Sequence, residues 1–272
     1  MTLTRTEVRD LLDRYQISPK RSLGQNFVVE PNTVRRIAEL AEIEVGDQVL
    51  EIGPGLGSLT LALEDLGAHI TALEIDNKLV EVLKEVTDGK RVSILHEDAM
   101  KFDFGTHTSG GRWKLVANLP YNISVPLICN VLDTSSSITE MLVMVQSEVA
   151  DRLVARPKTK AYGFPSLKVS FYAEASLVSR VPPSVFFPRP RVDSAIVRIK
   201  RKPHTDTTVD TETLFSLVRM GFTHRRKTLR RSLGGMVREE EFQKSSINST
   251  ARAEELSIDE WVRLAKEVCH EN

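Results

Sequence analysis

The sequence predicts an α/β protein built on one open sheet, with its working residues strung along the sheet's carboxyl edge. Three observations carry that expectation. An apolar run, Gln48-Val49-Leu50-Glu51-Ile52, passes directly into Gly53-Pro54-Gly55-Leu56-Gly57-Ser58 and then into a helical pattern from Leu59 to Leu66. Two further apolar runs end in acids: His69 to Leu73 before Glu74-Ile75-Asp76, and Val92 to Leu95 before His96-Glu97-Asp98. A fourth, Lys114-Leu115-Val116-Ala117, ends in Asn118-Leu119-Pro120-Tyr121. In open α/β sheets, ligands bind outside the carboxyl ends of the strands.

Composition narrows the class. The 272 residues hold 37 Lys+Arg against 37 Asp+Glu, so nothing global announces a polyanionic partner and any basic patch must be local. Such a length suits one large domain or two. The two cysteines, Cys129 and Cys269, lie far apart and lack metal-ligand spacing, which fits a reduced, cytoplasmic protein without metal. The N-terminus is charged, and no stretch reaches ~18 uncharged apolar residues, so neither a signal peptide nor a membrane span is expected.

In chain order, Thr4 and Glu7 form a capping box for a helix with Val8, Leu11, Leu12 and Tyr15 on one face. A basic loop from Pro19 to Phe27 holds Gly24, Gln25 and Asn26. Pro31 opens the next helix, with Val34, Ile37, Ala38 and Ala41 as its stripe. The glycine turn after Ile52 lets a ligand reach backbone N–H groups at a helix start, although such trios also make plain tight turns. Glu74 falls about twenty residues beyond the first glycine, the place for a carboxylate that accepts both hydroxyls of a ribose. Asp98 suits the amino group of an adenine. Taken singly, each acid is more commonly a helix cap or a solvated loop acid. Four such features ending four successive strands is a coincidence that solvated loops do not explain.

The Asn118 loop points to a planar base. Asn118 offers a side-chain carbonyl oxygen. Pro120 lacks an N–H and stiffens the turn, and Tyr121 adds a flat face. An exocyclic amine has two hydrogens to donate, one to Asn118 and one to the Leu119 carbonyl, while its ring lies on Tyr121. The alternative is a strand, a turn and a surface Tyr.

Beyond this loop, Met141 to Val145 reads as a strand and Glu148 to Ala155 as a helix. Arg156 to Lys160 is a basic loop, expected to be solvated. Phe186 and Phe187 sit in a proline-stiffened segment, where Phe186 alone reads as a core residue. Asp193 to Lys200 alternates like a closing edge strand. The polar stretch Lys202 to Thr208 sets the expected domain boundary, giving residues 1–204 and 205–272. Leu214, Leu217 and Val218 begin a helix that stops near Gly221. Arg225, Arg226, Lys227, Arg230 and Arg231 then cluster with no acid among them, a phosphate-binding candidate or a solvated face. Ser257 and Glu260 cap a last helix packed through Trp261, Leu264, Ala265 and Val268.

Several of these stretches resemble one family. Gly24-Gln25-Asn26-Phe27, Glu51-Ile52-Gly53-Pro54-Gly55-Leu56-Gly57 and Asn118-Leu119-Pro120-Tyr121-Asn122-Ile123-Ser124 are similar to motifs of the KsgA-type ribosomal RNA adenine dimethyltransferases. So are Tyr162-Gly163, the run from Phe186 to Ser194, and Arg225-Arg226-Lys227-Thr228-Leu229. The match spans nearly the whole chain. The resemblance implies a Rossmann-like class I methyltransferase sheet of seven strands, its last hairpin antiparallel, with a small all-α C-terminal domain. It implies S-adenosylmethionine as cofactor, contacted by Asn26, Val28, Gly53, Glu74, Asp98 and Asn118. It places Asn118, Leu119, Pro120 and Tyr121 at the catalytic centre, with Phe186 closing the second face of the target base. It favours RNA phosphates as partners of Arg225, Arg226, Lys227, Arg230 and Arg231. Val28 stands where Leu is usual, and Ser147 where the family more often has Lys. The implied activity is methylation at N6 of two adjacent adenines in the 3′-terminal hairpin loop of 16S ribosomal RNA, in an immature small subunit, by a cytoplasmic monomer without metal. Two rivals remain: an Erm-like 23S ribosomal RNA adenine methyltransferase, and a pre-ribosomal RNA-binding assembly checkpoint whose methylation is secondary.

Overall fold

The computed structural model describes residues 2–203, 205, 206 and 208–269, with Cys269 described through its backbone only. His204 and Thr207 of the polar boundary stretch lie outside the described residues. By packing, the chain forms two compact units. One comprises Met1–Ala150 with Ser176–Arg201, the other Asp151–Ala175 with Lys202–Asn272. Packing thus adds 151–175 to the helical side of the boundary expected at residue 204.

The first unit is organised by a seven-stranded sheet. Its strands are β1 (Gln48–Ile52), β2 (His69–Glu74), β3 (Val92–His96), β4 (Trp113–Asn118), β5 (Ile138–Gln146), β6 (Ala173–Val181) and β7 (Ser194–Arg201). They lie in the order β3-β2-β1-β4-β5-β7-β6. The first five are parallel, and β7 runs antiparallel to β5. Strands covered on both faces need continuous apolar runs, and four or more consecutive residues of β1, β2 and β5 are buried. The chain order turns back between β1 and β4, so their carboxyl ends flank the crevice where such sheets bind ligands.

Helices Pro31–Leu40 and Ser58–Asp65 cover one part of the sheet, contributing Val34, Ile37, Leu59 and Leu63 to a core with Ile70, Val116, Met144 and Ile196. Helix Arg5–Arg14 has its expected capping box, the Thr4 N–H donating to Glu7 Oε2 at 2.7 Å. Its Val8, Leu11 and Leu12 pack with Leu61, Leu79 and Val82. A two-residue strand, Phe27–Val28, pairs antiparallel with Phe186–Phe187, placing Val28 opposite Phe186.

The second unit contains helices Phe164–Tyr172, Thr211–Thr223, Glu239–Lys244 and Ile258–Cys269. They surround Trp261, Phe242, Leu214, Leu217 and Leu229, all buried. The Ser257–Glu260 box forms, its Ser257 N–H donating to Glu260 at 2.7 Å. No helix among the described residues is long and apolar enough to cross a membrane.

Trp261 is fully buried at the centre of this unit. Trp261→Ala is therefore expected to destabilise it by about 3–5 kcal/mol, the range for emptying an aromatic core site. Urea denaturation followed by circular dichroism measures it; a loss under ~1 kcal/mol contradicts this packing.

Candidate active site

The carboxyl ends of β1, β2, β3 and β4 and the loop before Phe27 enclose a cavity of about 280 Å³. Asn26, Val28, Gly53, Glu74, Asp98 and Asn118, scattered over 93 positions of sequence counted inclusively, all line it. Glu51, Glu97 and Ile75 line it as well, and no Lys, Arg or His does among the described residues. An acidic, base-free cavity suits a cation.

The glycine turn and Glu74 lock together. Gly53, Gly55 and Gly57 have φ of 67°, 60° and 89°, a left-handed region that side-chain-bearing residues occupy only under strain. This path aims the Gly55 N–H at Glu74 Oε2, 3.2 Å away. Glu74 Oε1 accepts from the N–H groups of Ile75 at 3.0 Å and Asp76 at 2.9 Å. Burial raises the pKa of Glu74, and these backbone donors pull against it. A carboxylate has about four lone-pair sites, so one remains, on Oε2. Glu74 thus keeps capacity for one further full hydrogen bond; a pair of ribose hydroxyls would share it. Asp98 Oδ1 accepts from the Met100 N–H at 2.9 Å, leaving Oδ2 without a described partner. Ile75 and Met100, both partly exposed, give the cavity apolar flanks fit for a planar ring. Cavity, charge and donor set fit S-adenosylmethionine.

The Asn118 loop is fixed from two sides. Asn118 Nδ2 donates to the Asn26 carbonyl at 3.0 Å, and its Oδ1 is left without a described partner. The Leu119 N–H donates to the Met144 carbonyl at 3.0 Å, anchoring the loop to β5. The Tyr121 hydroxyl and Ser194 Oγ are 2.7 Å apart, which orients the half-buried ring. Burial raises the pKa of that hydroxyl, so it stays protonated at neutral pH. Gly24 presses on the same loop: a Cβ there would lie 3.0 Å from Asn122 Oδ1, 3.2 Å from the Tyr121 nitrogen and 3.3 Å from Pro120 Cβ. Asn122 Nδ2 also donates to the Ser22 carbonyl at 3.2 Å. Ser147 donates from its backbone N–H to the Asp193 carbonyl and from Oγ to the Ser194 carbonyl, next to the Tyr121 anchor.

Two of the expected site groups make further contacts in the structure. Phe186 is only 3 % exposed and packs in the core with Val28, Val34, Met144 and Ile196. Its backbone stands opposite Val28 in the short antiparallel pair. The basic cluster, acid-free in sequence, acquires acids in space. Arg225 is held by Glu254 and by the Thr159 carbonyl, and Arg230 lies 3.9 Å from Glu239. Arg226, Lys227 and Arg231 are exposed and carry no partner among the described residues.

Two acids escaped the sequence reading. Asp76 is buried and receives Lys20 Nζ at 2.8 Å and Gln25 Nε2 at 3.1 Å, tying the N-terminal loop to the end of β2. It also caps helix Asn77–Val86 through the Lys78 N–H. Burial opposes its ionisation, but Lys20, Gln25 and that N–H prevail and hold its pKa below the usual value. An acid opening a helix after a strand was the available signal. Glu51, inside the apolar run of β1, opens the glycine motif quoted above but carried no assigned role. It is 2 % exposed, and burial pushes its pKa up to about 8.

Comparison with known proteins agrees with this geometry. The family model described as ribosomal RNA adenine dimethylase matches residues 17–269. The ribosomal RNA small subunit methyltransferase A of Kineococcus radiotolerans is 43 % identical over 97 % of this chain and 90 % of its own length. That of Bifidobacterium adolescentis is 42 % identical, over 96 % and 92 %. Among solved structures, the 23S rRNA methyltransferase ErmE superposes with TM-score 0.67 at 26 % identity, over 89 % of this chain and 99 % of that one. A dimethyladenosine transferase from Plasmodium falciparum gives 0.72 at 24 % identity, over 86 % and 94 %.

If Asp76 latches the N-terminal loop, Asp76→Ala must loosen it. The expected result is severalfold faster tryptic cleavage at Lys20 and Arg21, with a stability loss of about 1–2 kcal/mol from the missing helix cap. Limited proteolysis with mass spectrometry decides; cleavage at the wild-type rate removes the latch.

Proposed function

The chain belongs to the ribosomal RNA adenine dimethylase family, and on that premise we propose that it methylates N6 of two adjacent adenines in the 3′-terminal hairpin loop of 16S ribosomal RNA. It is an S-adenosylmethionine-dependent enzyme of ribosomal RNA. The finer reading adds an immature small subunit as substrate and a cytoplasmic monomer that uses no metal. The observation that carries the chemistry is the Asn118 amide: its Nδ2 donates to the Asn26 carbonyl, which leaves Oδ1 to accept.

An adenine amine is a poor nucleophile because its lone pair is delocalised into the ring. Asn118 Oδ1 and the Leu119 carbonyl accept its two hydrogens, draw them out of the ring plane and localise the lone pair. Tyr121 supports the base, its ring held by Ser194. S-adenosylmethionine, when bound, supplies an electrophilic methyl group. Glu74 and Asp98 hold its sugar and adenine ends, and Asn26, Val28 and Gly53 line its path. The residues therefore act by positioning, which is enough for an in-line methyl transfer. Arg226, Lys227 and Arg231 hold RNA phosphates, while Arg225 and Arg230 are partly committed to acids of their own unit.

The named relatives favour the small subunit. The ErmE likeness, at 26 % identity, supports the large-subunit alternative less. Incubating the enzyme with methyl-labelled cofactor and separated, unmethylated subunits tests the choice. Label is expected in small-subunit RNA; label in large-subunit RNA instead refutes the assignment.

Three variants probe the residues. Asn118→Ala should slow single-turnover methylation by about 10²-fold, the scale of removing one positioned transition-state hydrogen bond, with the fold retained. A rate near wild type contradicts the role. Glu74→Ala should weaken cofactor binding by ~1.5–3 kcal/mol, read by calorimetry; unchanged affinity removes it from the site. Replacing Arg226, Lys227 and Arg231 together with Ala should weaken binding to the particle and reduce its log–log salt slope by ~0.7–0.9 for each phosphate no longer neutralised. An unaltered slope makes them a solvated face.

A further inference from the structure

Among the described residues, Glu51 is the carboxyl in the cavity with a buried oxygen that lacks a donor. That oxygen is buried and has no hydrogen-bond partner. The side chain is 2 % exposed and lines the cavity from β1. The groups around it are acids or neutral. Glu74 faces it from β2, and Glu97 and Asp98 line the same cavity beyond β3. From the N-terminal loop come the amides Gln25 and Asn26. From helix Ser58–Asp65 the Thr60 hydroxyl lies close enough to oppose the effect of burial on Glu51, but neither its oxygen nor Glu51 Oε2 has a hydrogen-bond partner. The contrast with Glu74 is chemical: Glu74 has three N–H donors to stabilise a negative charge, and Glu51 has none on its inner oxygen. An unsupported buried carboxyl keeps its proton until a cation arrives.

We propose that Glu51 is a charge-selecting group for the methyl donor, giving up its proton when the sulfonium cofactor binds and taking one back once the methyl has gone. This rests on reading the cavity as the S-adenosylmethionine site. On binding, the neutral Glu51 carboxyl becomes carboxylate and its proton passes to solvent. On transfer, the carbon–sulfur pair stays on sulfur, the methyl carbon bonds N6, and N6 loses one proton to solvent. S-adenosylhomocysteine then carries one positive charge fewer, and Glu51 recovers a proton from solvent. Ionised Glu51 favours the donor over its product; protonated Glu51 weakens that preference and lets the product leave. The raised pKa, about 8 in the ligand-free protein, puts this exchange near neutral pH.

Titration calorimetry of the whole protein tests it, using S-adenosylmethionine and S-adenosylhomocysteine in buffers of different ionisation enthalpy. At pH 7 the wild type should release close to one proton per S-adenosylmethionine and fewer per S-adenosylhomocysteine. Donor affinity should rise by up to about tenfold per pH unit and level off above about pH 8, because the linkage slope equals the protons released. Glu51→Gln, nearly isosteric, should release none and show a donor-to-product affinity ratio independent of pH. Glu51→Asp should restore part of the release. Proton-free binding by wild type, or the same release from Glu51→Gln, overturns the proposal while leaving the cofactor site intact. Failure of either ligand to bind wild type removes the site assignment and this proposal together.

Ligand-free stability gives a second readout. The unfolded Glu ionises near 4.5, whereas folded Glu51 holds its proton to about 8. Its stabilising contribution is therefore full below 4.5 and is lost as pH rises toward 8. Wild type should lose melting temperature relative to Glu51→Gln over that window. Parallel melting curves across it overturn the proposal.

Discussion

A 3.0 Å hydrogen bond from Asn118 Nδ2 to the Asn26 carbonyl joins residues 92 positions apart and ties the N-terminal loop to the end of β4. A primary amide has two donors and one acceptor oxygen, and rotation by half a turn exchanges them. Fixing the nitrogen on a backbone carbonyl leaves the oxygen as the end free to accept. The N-terminal loop is thus the part that makes Asn118 an acceptor. The loop's own position rests on Gly24 fitted against Tyr121 and Pro120, on Asn122 reaching Ser22, and on Lys20 and Gln25 reaching Asp76. The cavity and the Asn118 loop share this wall, so what loosens one disturbs the other.

Three carboxylates within a short reach of the glycine turn show how environment assigns roles to one functional group. Asp76 has a lysine, an amide and a backbone N–H, and stays ionised as a structural tie. Glu74 has three backbone donors against deep burial, and keeps one lone-pair site for a ligand. Glu51 has burial with little to oppose it, and holds a proton. The same chemical group serves as anchor, acceptor and proton store because the donor count around it changes.

The sheet was legible because strands buried on both faces must be continuous apolar runs, and each run ended at a polar residue the fold brings to one edge. Glu74, Asp98 and Asn118 line a single cavity for that reason. What escaped the sequence was set by distant partners. Nothing near Phe186 states that it pairs with Val28 and turns into the core. Nothing near Arg225 states that Glu254, 29 residues on, neutralises it. Segment 151–175 joins the helical unit through packing that local periodicity does not encode. Glu51 was hidden by its neighbours, since an acid inside a strand reads as a gap in an apolar pattern.

The proposed base site offers two acceptors, Asn118 Oδ1 and the Leu119 carbonyl. That arrangement treats the two methyl transfers differently. An unmodified amine satisfies both Asn118 Oδ1 and the Leu119 carbonyl. After one transfer a single N–H remains, and one acceptor goes without a partner, which costs about 1–3 kcal/mol when the acceptor is buried. Asn118 is half-exposed, so water can reach its Oδ1 while Nδ2 stays on the Asn26 carbonyl, whereas the Leu119 side chain is buried and its N–H is fixed to β5. The rigid backbone carbonyl is then the acceptor that keeps the remaining hydrogen, and the side-chain acceptor is the one that yields room to the first methyl. On the proposed arrangement the acceptor that loses its hydrogen is the one that water can reach, which spares the second transfer the cost of a buried, unpartnered acceptor.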